Sequence, residues 1–347
     1  MTTLRSVWRA NPRRIGRALS WACALLLPLL VPAQAQTQTQ PLTSTQIQTQ
    51  LGSDKPITFV VPFTAGAAPD VFVRALAREV ARASGLVTLV DNKPGAGSVL
   101  AAQAVARAEP DGHTVLITGN VAVTGNPHVF KKLPYDPVAD FTPVTTLAKG
   151  PMVLYVNPQR VPAKSVSELT ALLRKEPGRY TFGYTSITSR LPAELLQRSA
   201  GVKLVAVPYR SGASALPDLV SGQIDMLFTD FSFWPHVSSG KLRAIAVTDD
   251  QRSPYAPDLP TFNEGGVKGI DITFWLAAYL PARAPGAVSS ALYRLLADAG
   301  KSADAKAAHK NFGTTEFVLP FGQLAGFQAR ESAVWGRAIL DAGIPPE

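Results

Sequence analysis

Cysteine, histidine and recognisable catalytic motifs are all scarce in this chain. Cys23 is the only cysteine in 347 residues, and it lies in an N-terminal apolar run. A product released from that run holds no disulfide, no reactive thiol and no cysteine metal ligand. The four histidines, His113, His128, His236 and His309, are far apart with no repeated spacing. They read as packing or surface residues rather than as a metal set or a general base. The chain has no Gly-x-Ser-x-Gly elbow, no paired-histidine zinc motif and no phosphate loop ending in Gly-Lys-Ser/Thr. Asp91-Asn92-Lys93-Pro94-Gly95-Ala96-Gly97-Ser98 is glycine-containing but lacks the third glycine and the downstream acid of a dinucleotide fingerprint. No cofactor and no metal is therefore expected, and the chain is not expected to be an enzyme.

A long apolar run is missing as well. Residues 18–31 form an apolar stretch shorter than the roughly 20 residues that cross a bilayer, and Pro28 and Pro32 interrupt it. Arg5, Arg9, Arg13, Arg14 and Arg17 precede it, and Ala33-Gln34-Ala35 follows. That is the layout of a secretory signal peptide over 1–35, cleaved after Ala35, which predicts a periplasmic product. Arg13-Arg14 leaves the general and the twin-arginine export routes both open. Ser20-Trp21-Ala22 ahead of Cys23 does not fit lipoprotein processing. Without the signal, 34 basic groups fall to 29 against 25 acids, so the net charge drops from +9 to +4. The apparent basicity is mostly targeting, and no dense Lys/Arg block points to nucleic acid. Residues 36–53, nearly all Thr and Gln, read as a flexible tether.

From residue 54 onward, short β-rich runs alternate with helical patterns, which predicts an α/β protein of mostly parallel sheets with helices on both faces. Strands are expected over 57–62, 86–91, 114–118, 151–157, 180–184, 203–208, 224–228, 242–248 and 272–281. Phe72, Leu76, Val80 and Ala83 form the core-facing stripe of a first helix. Ser165-Val166-Ser167-Glu168 has capping-box spacing ahead of Leu169, Leu172 and Leu173. The chain from residue 285 reads as mostly helical. Apolar stretches at 151–157 and 272–281 bracket a central block, so the chain leaves one sheet, builds a second and returns. Lobe 1 is expected over 54–155 and 273–347 and lobe 2 over 156–272, with a ligand cleft between them.

The strand at 57–62 runs into the small-residue turn Phe63-Thr64-Ala65-Gly66-Ala67-Ala68 and a helix opening Pro69-Asp70. A helix N-terminus carries unpaired N–H groups and partial positive charge, so a turn this small lets an anion reach those donors. The same composition also suits a plain strand-to-helix connection.

This segment, the Asp91 to Gly97 run and Pro110-Asp111-Gly112-His113-Thr114 together resemble the opening half of the Bug family, the TctC-type substrate-binding proteins of tripartite tricarboxylate transport. Leu133-Pro134-Tyr135-Asp136-Pro137, Asp140-Phe141-Thr142-Pro143-Val144, Val207-Pro208-Tyr209-Arg210, Gly222-Gln223-Ile224-Asp225-Met226 and Gly240-Lys241-Leu242-Arg243-Ala244 extend the likeness. It implies a two-lobed, type II-like periplasmic binding protein that closes on a small organic carboxylate. Membrane transporter subunits are the implied partner, and a monomer is expected. It further implies a carboxylate held mostly by backbone amides and small hydroxyl residues. Carried over position by position, the ligand-binding residues are Thr64, Ala65, Gly66 and Ala67, then Thr118, Gly119 and Asn120. Lobe 2 adds Ser186, Thr188, Ser189 and Arg190, then Asp230 and Phe231, while Asp70 supports the first loop. Departures are clear: Ala65, Ala67 and Ala68 surround a single Gly66 where the family has several glycines, and Arg190 stands where it has His.

Several positions admit two readings. Arg190 either grips a carboxylate bidentately or is a solvated arginine at a helix start. Asp230 either accepts a ligand amine or hydroxyl or caps a helix. Phe63 and Trp234 either line the cleft or are core. Two other functions fit the same residues: an exported sensor feeding a signalling partner, and an exported hydrolase built on Ser98, Ser186 or Ser189, which lacks an assigned base.

Overall fold

The computed structural model describes residues 44–52 and 55–346. The signal peptide and its cleavage point lie outside the described residues. The elements run α1 (Ser44–Leu51), β1 (Ile57–Val61), α2 (Ala68–Ser84), β2 (Thr88–Asn92), α3 (Val99–Ala106), β3 (Thr114–Gly119), α4 (Asn126–Val129), β4 (Phe141–Pro151) and β5 (Val153–Val156). They continue α5 (Val166–Lys175), β6 (Thr181–Tyr184), α6 (Ile187–Ala200), β7 (Val205–Pro208), α7 (Gly212–Ser221), β8 (Met226–Thr229), α8 (Trp234–Ser238) and β9 (Arg243–Val247). The chain closes with β10 (Thr273–Pro281), α9 (Gly286–Ala299), α10 (Ala303–Phe312), β11 (Thr315–Glu316) and α11 (Leu324–Asp341).

Two sheets result. One has the order β11-β4-β10-β3-β1-β2 and the other β7-β6-β8-β5-β9. Each contains a parallel part, β2-β1-β3 and β7-β6-β8, built from strand–helix–strand units. The strands next to the crossings, β4 and β10 in the first sheet and β5 and β9 in the second, pair antiparallel. The chain changes sheet between Pro151 and Val153, so β5 joins the second sheet just ahead of the boundary expected at residue 155.

Helix α2 shows how the sequence fixes an element. Pro69 sits in its first turn, where a missing N–H costs nothing, and Gly85 closes it at φ 72° with its amide on Ala81 O. Phe72, Leu76 and Val80 are fully buried as the stripe requires, but Ala83 is exposed and Ser84, four residues after Val80, takes the last inward place. In lobe 2, Ser165 caps α5, its Oγ accepting the Glu168 amide at 3.2 Å.

Two expectations need correction. The stretch read as a tether contains α1: Leu51 is buried, and Gln48 Nε2 donates to Ser84 O at 2.9 Å at the end of α2. One docked leucine and one capping amide hold a helix whose composition alone argues for disorder. Strand β4, eleven residues long and carrying Pro143 and Gly150, is missing from the expected strands. It is held by β10, through a register with two irregularities, and by Thr145 Oγ1 donating to Leu319 O at 3.0 Å.

Candidate functional site

Register places the strand ends. Gly119 at the end of β3 pairs with Leu276, and Thr273 at the start of β10 pairs with Pro151 at the end of β4. In the second sheet Val153, which begins β5, pairs with Thr229 at the end of β8 and with Val247 at the end of β9. Both crossings therefore leave from the sheet edges at which the parallel strands β1, β3, β6 and β8 end, and those edges face each other across the junction. In open α/β sheets this is where ligands sit. The loops at 64–67, 118–120, 186–190 and 230–231 all follow these strand ends.

Thr248 sits at that junction. It is fully buried, its Oγ1 accepts the Met152 amide at 3.0 Å and donates to Ile272 O, and its own amide donates to Met152 O at 2.9 Å. One hydroxyl thus ties together the two segments that cross between lobes. Nothing in its sequence context singles it out. Further contacts bridge the lobes: a Cβ at Gly125 would lie 2.7 Å from Ile187 Cγ2, and one at Gly313 would lie 2.1 Å from the Phe231 ring. Tyr255 Oη donates to Thr314 O at 2.8 Å.

The first loop is held from within. Asp70, fully buried, accepts from Gly66 N at 2.8 Å, from Arg74 Nε at 2.9 Å and from Asn92 Nδ2 at 2.7 Å. Burial works to raise its carboxyl, but the bonds from Arg74, Asn92 and Gly66 outweigh it and bring it below the ordinary value. Asn92 also donates to Phe63 O at 3.0 Å. Ala67 N donates to Thr64 O at 3.1 Å. Of the four amides expected to hold an anion, those of Gly66 and Ala67 are thus already engaged. Those of Thr64 and Ala65, on exposed residues, have no acceptor among the described residues. Asn92 was not anticipated, because it lies 22 residues from the carboxylate it serves, and Arg74, one helical turn after Asp70, was not named either.

Thr118, Gly119 and Asn120 are buried, with Asn120 Nδ2 donating to Thr273 O at 3.4 Å beside the crossing. In lobe 2, Ser189 is buried and its Oγ accepts the amides of Thr185 at 2.8 Å and Ser186 at 3.3 Å. It shapes the loop rather than facing outward, forming a capping box with Ser186. Ser186 and Thr188 remain partly exposed. Arg190 is committed along its own helix, donating from Nε to Glu194 at 3.0 Å with its guanidinium 5.2 Å from the Tyr184 ring centre. Phe231 is buried, stacked on Trp234 at 5.4 Å and pressed against Gly313.

Asp230 differs from these. It caps the turn at Phe231–Phe233, its Oδ1 accepting Ser232 N at 2.8 Å, and its carbonyl accepts Tyr155 Oη at 3.1 Å. It is half-buried and keeps accessible surface. Desolvation raises its carboxyl, only partly offset by the Ser232 bonds.

The serines raised as nucleophiles have no histidine partner. The histidine–serine hydrogen bond among the described residues joins His128 Nε2 to Ser332 Oγ at 3.0 Å, in lobe 1. No group of three or more His, Cys, Asp or Glu among the described residues could hold a metal. Two open hollows, of about 550 Å³ beside Tyr135 and about 640 Å³ between Arg74 and Leu89, lie on lobe 1 away from the facing edges.

Comparison with known proteins agrees with this geometry. The model of the tripartite tricarboxylate transporter family receptor, TctC, matches residues 72–344. A UPF0065 protein from the tcbD-tcbE intergenic region of Pseudomonas sp. (strain P51) is 32% identical over 291 residues, covering 83% of this chain and 86% of that protein. Among solved structures, the periplasmic binding protein BugD is 28% identical, with a TM-score of 0.79 over 85% of this chain and 99% of that one. Rpa4515 of R. palustris with adipate is 29% identical, with a TM-score of 0.79 and the same coverage, 85% and 99%. The two solved structures share the fold described above.

Proposed function

This chain belongs to the tripartite tricarboxylate transporter receptor (TctC) family of solute-binding proteins, and from that membership we propose that it captures a small organic carboxylate between its lobes and delivers it to a tripartite membrane transporter. The protein works in the periplasm after cleavage near Ala35, and it acts as a monomer without catalysis. The observation that carries the reading is the convergence of four strand-end loops, two from each lobe, on the facing edges from which both crossings leave.

In this reading the free amides of Thr64 and Ala65 hold the carboxylate at the end of β1, with Thr118, Gly119 and Asn120 beside them. Ser186 and Thr188 close from lobe 2. Gly66, Ala67, Asp70 and Ser189 hold the loops in shape. The engaged guanidinium of Arg190 forms the wall behind the ligand. Adipate, bound in the solved structure of Rpa4515, makes linear dicarboxylates the first compounds to try.

A thermal-shift screen of the protein starting at Gln36 over mono- and dicarboxylates, amino acids and aromatic acids tests the reading. A ligand at a hundred times its dissociation constant adds about 2.7 kcal/mol of stability. A complete absence of hits across the set removes the proposal. Growth on the hit compound, lost equally on deleting this gene or the transporter's membrane subunits, ties binding to uptake. Uptake that survives the second deletion separates sensing from transport.

A further inference from the structure

We propose that Asp230 selects, among organic acids, those carrying a hydrogen-bond donor, an ammonium or a hydroxyl, beside the carboxylate. The inference rests on the carboxylate-capture reading and names the substrate class of the same site.

Three observations meet at this residue. The first is placement. Thr229 pairs with Val153 immediately after the chain has crossed from lobe 1, and the residue following Asp230, Phe231, presses on Gly313 of lobe 1. Asp230 thus stands between one crossing and one interlobe contact, at the base of the gap. Phe182 and Gly183 pair with Met226 and Leu227, so the loop carrying Ser186 leaves the sheet beside the one carrying Asp230.

The second is an incomplete set of partners. A carboxylate has room for about four donors. At its side chain Asp230 takes the Ser232 amide on Oδ1 and also meets the Ser232 side chain, so its side-chain partners come from one neighbouring residue, while the Tyr155 hydroxyl goes to its backbone carbonyl. No Lys, Arg or His among the described residues forms an ion pair with it, although Asp70 and Asp225, buried carboxylates of the two lobes, each have an arginine. The third is access. The residue is half-buried, so solvent still reaches it.

A desolvated carboxylate without a counter-ion is costly, and beside an anion site it repels the ligand's own charge. A ligand donor offsets them to different extents: an ammonium supplies both positive charge and hydrogen bonds, and a hydroxyl supplies a hydrogen bond alone. An acid with only hydrogen at that carbon leaves Asp230 unpaired. Sites built to bond a ligand donor discriminate strongly against analogues lacking it.

The test uses three matched sets measured by calorimetry on the protein beginning at Gln36: propanoate, lactate and alanine; succinate, malate and aspartate; phenylacetate, mandelate and phenylglycine. In the set whose skeleton fits, the donor-bearing members should bind at least about tenfold more tightly than the parent acid, the ammonium form most tightly. Asp230→Asn should shrink that ratio to below about threefold and improve binding of the parent acid, with the unliganded melting temperature as a check on folding. Equal affinities within the fitting set, or a ratio unchanged in Asp230→Asn, overturn the inference and leave carboxylate capture standing. If Asp230→Asn does not fold, the wild-type ratios alone decide. Failure of every acid in all three sets and in the wider screen removes the capture reading, and this inference with it.

Discussion

The loop after β1 in lobe 1 and the loop after β6 in lobe 2 are held in different ways. In the first, Asp70 gathers Gly66 N and Arg74, each four positions away, and Asn92, 22 positions away, which also donates to Phe63 O at 3.0 Å. In the second the braces lie three or four positions off, Ser189 serving Ser186 and Thr185. A distant brace fixes a loop relative to its sheet, whereas a near one fixes only the shape of the turn. The loop after β1 is accordingly the preformed part of the candidate site, and the loop after β6 is a self-contained turn.

Substitutions can break this contrast. The largest effect is expected from Asp70→Ala, which strands Gly66 N, Arg74 and Asn92 around a buried hole and should cost about 3 to 4 kcal/mol in urea unfolding. A cost near that of a lobe 2 cap would abolish the asymmetry. His309 tests lobe 1 in another way. It is buried in α10, with Nδ1 2.8 Å from Thr314 Oγ1 and Nε2 without a partner, and burial lowers its pKa from 6.5 to about 4. Between those values the unfolded chain binds a proton that the folded chain refuses, so stability is lost as pH falls from 6.5 to about 4, by up to about 3 kcal/mol. Melting scans of wild type and His309→Phe across that range should diverge, the variant lacking this component of the acid loss.

Thr248→Val addresses the junction that both lobes share. It leaves the Met152 amide and the Ile272 carbonyl short of a partner and should cost about 2 kcal/mol, with Thr248→Ser restoring most of it. Unchanged denaturation midpoints in the valine variant would show that the hydroxyl is dispensable. The smallest effect is expected from Ser189→Ala, about 1 kcal/mol, because only a local cap is lost.

Much of the fold was legible because helix stripes and strand runs alternate cleanly, and the first helix stop at Gly85 and the α5 start at Ser165 are written in local chemistry. What failed to show depends on partners far away in sequence. β4 is a strand because β10 covers Pro143 and Gly150, and α1 is a helix because Leu51 finds a place against lobe 1. The site follows the same rule. The position of Asp70 in the first helical turn suggested loop support, but Asn92 could be paired with it only once β1 and β2 were placed side by side. Ser186 and Ser189 were expected against the ligand, without the cap they form together, whereas the pairing of Arg190 with Glu194 is a local four-residue offset. Thr248 carried no signal, since a threonine ending a strand is unremarkable until two other segments converge on it.

That shared threonine oxygen makes the joint a pin rather than a pair of independent straps. Since the Met152 and Ile272 segments meet on one oxygen, a change in the setting of either crossing is felt by the other through that hydroxyl.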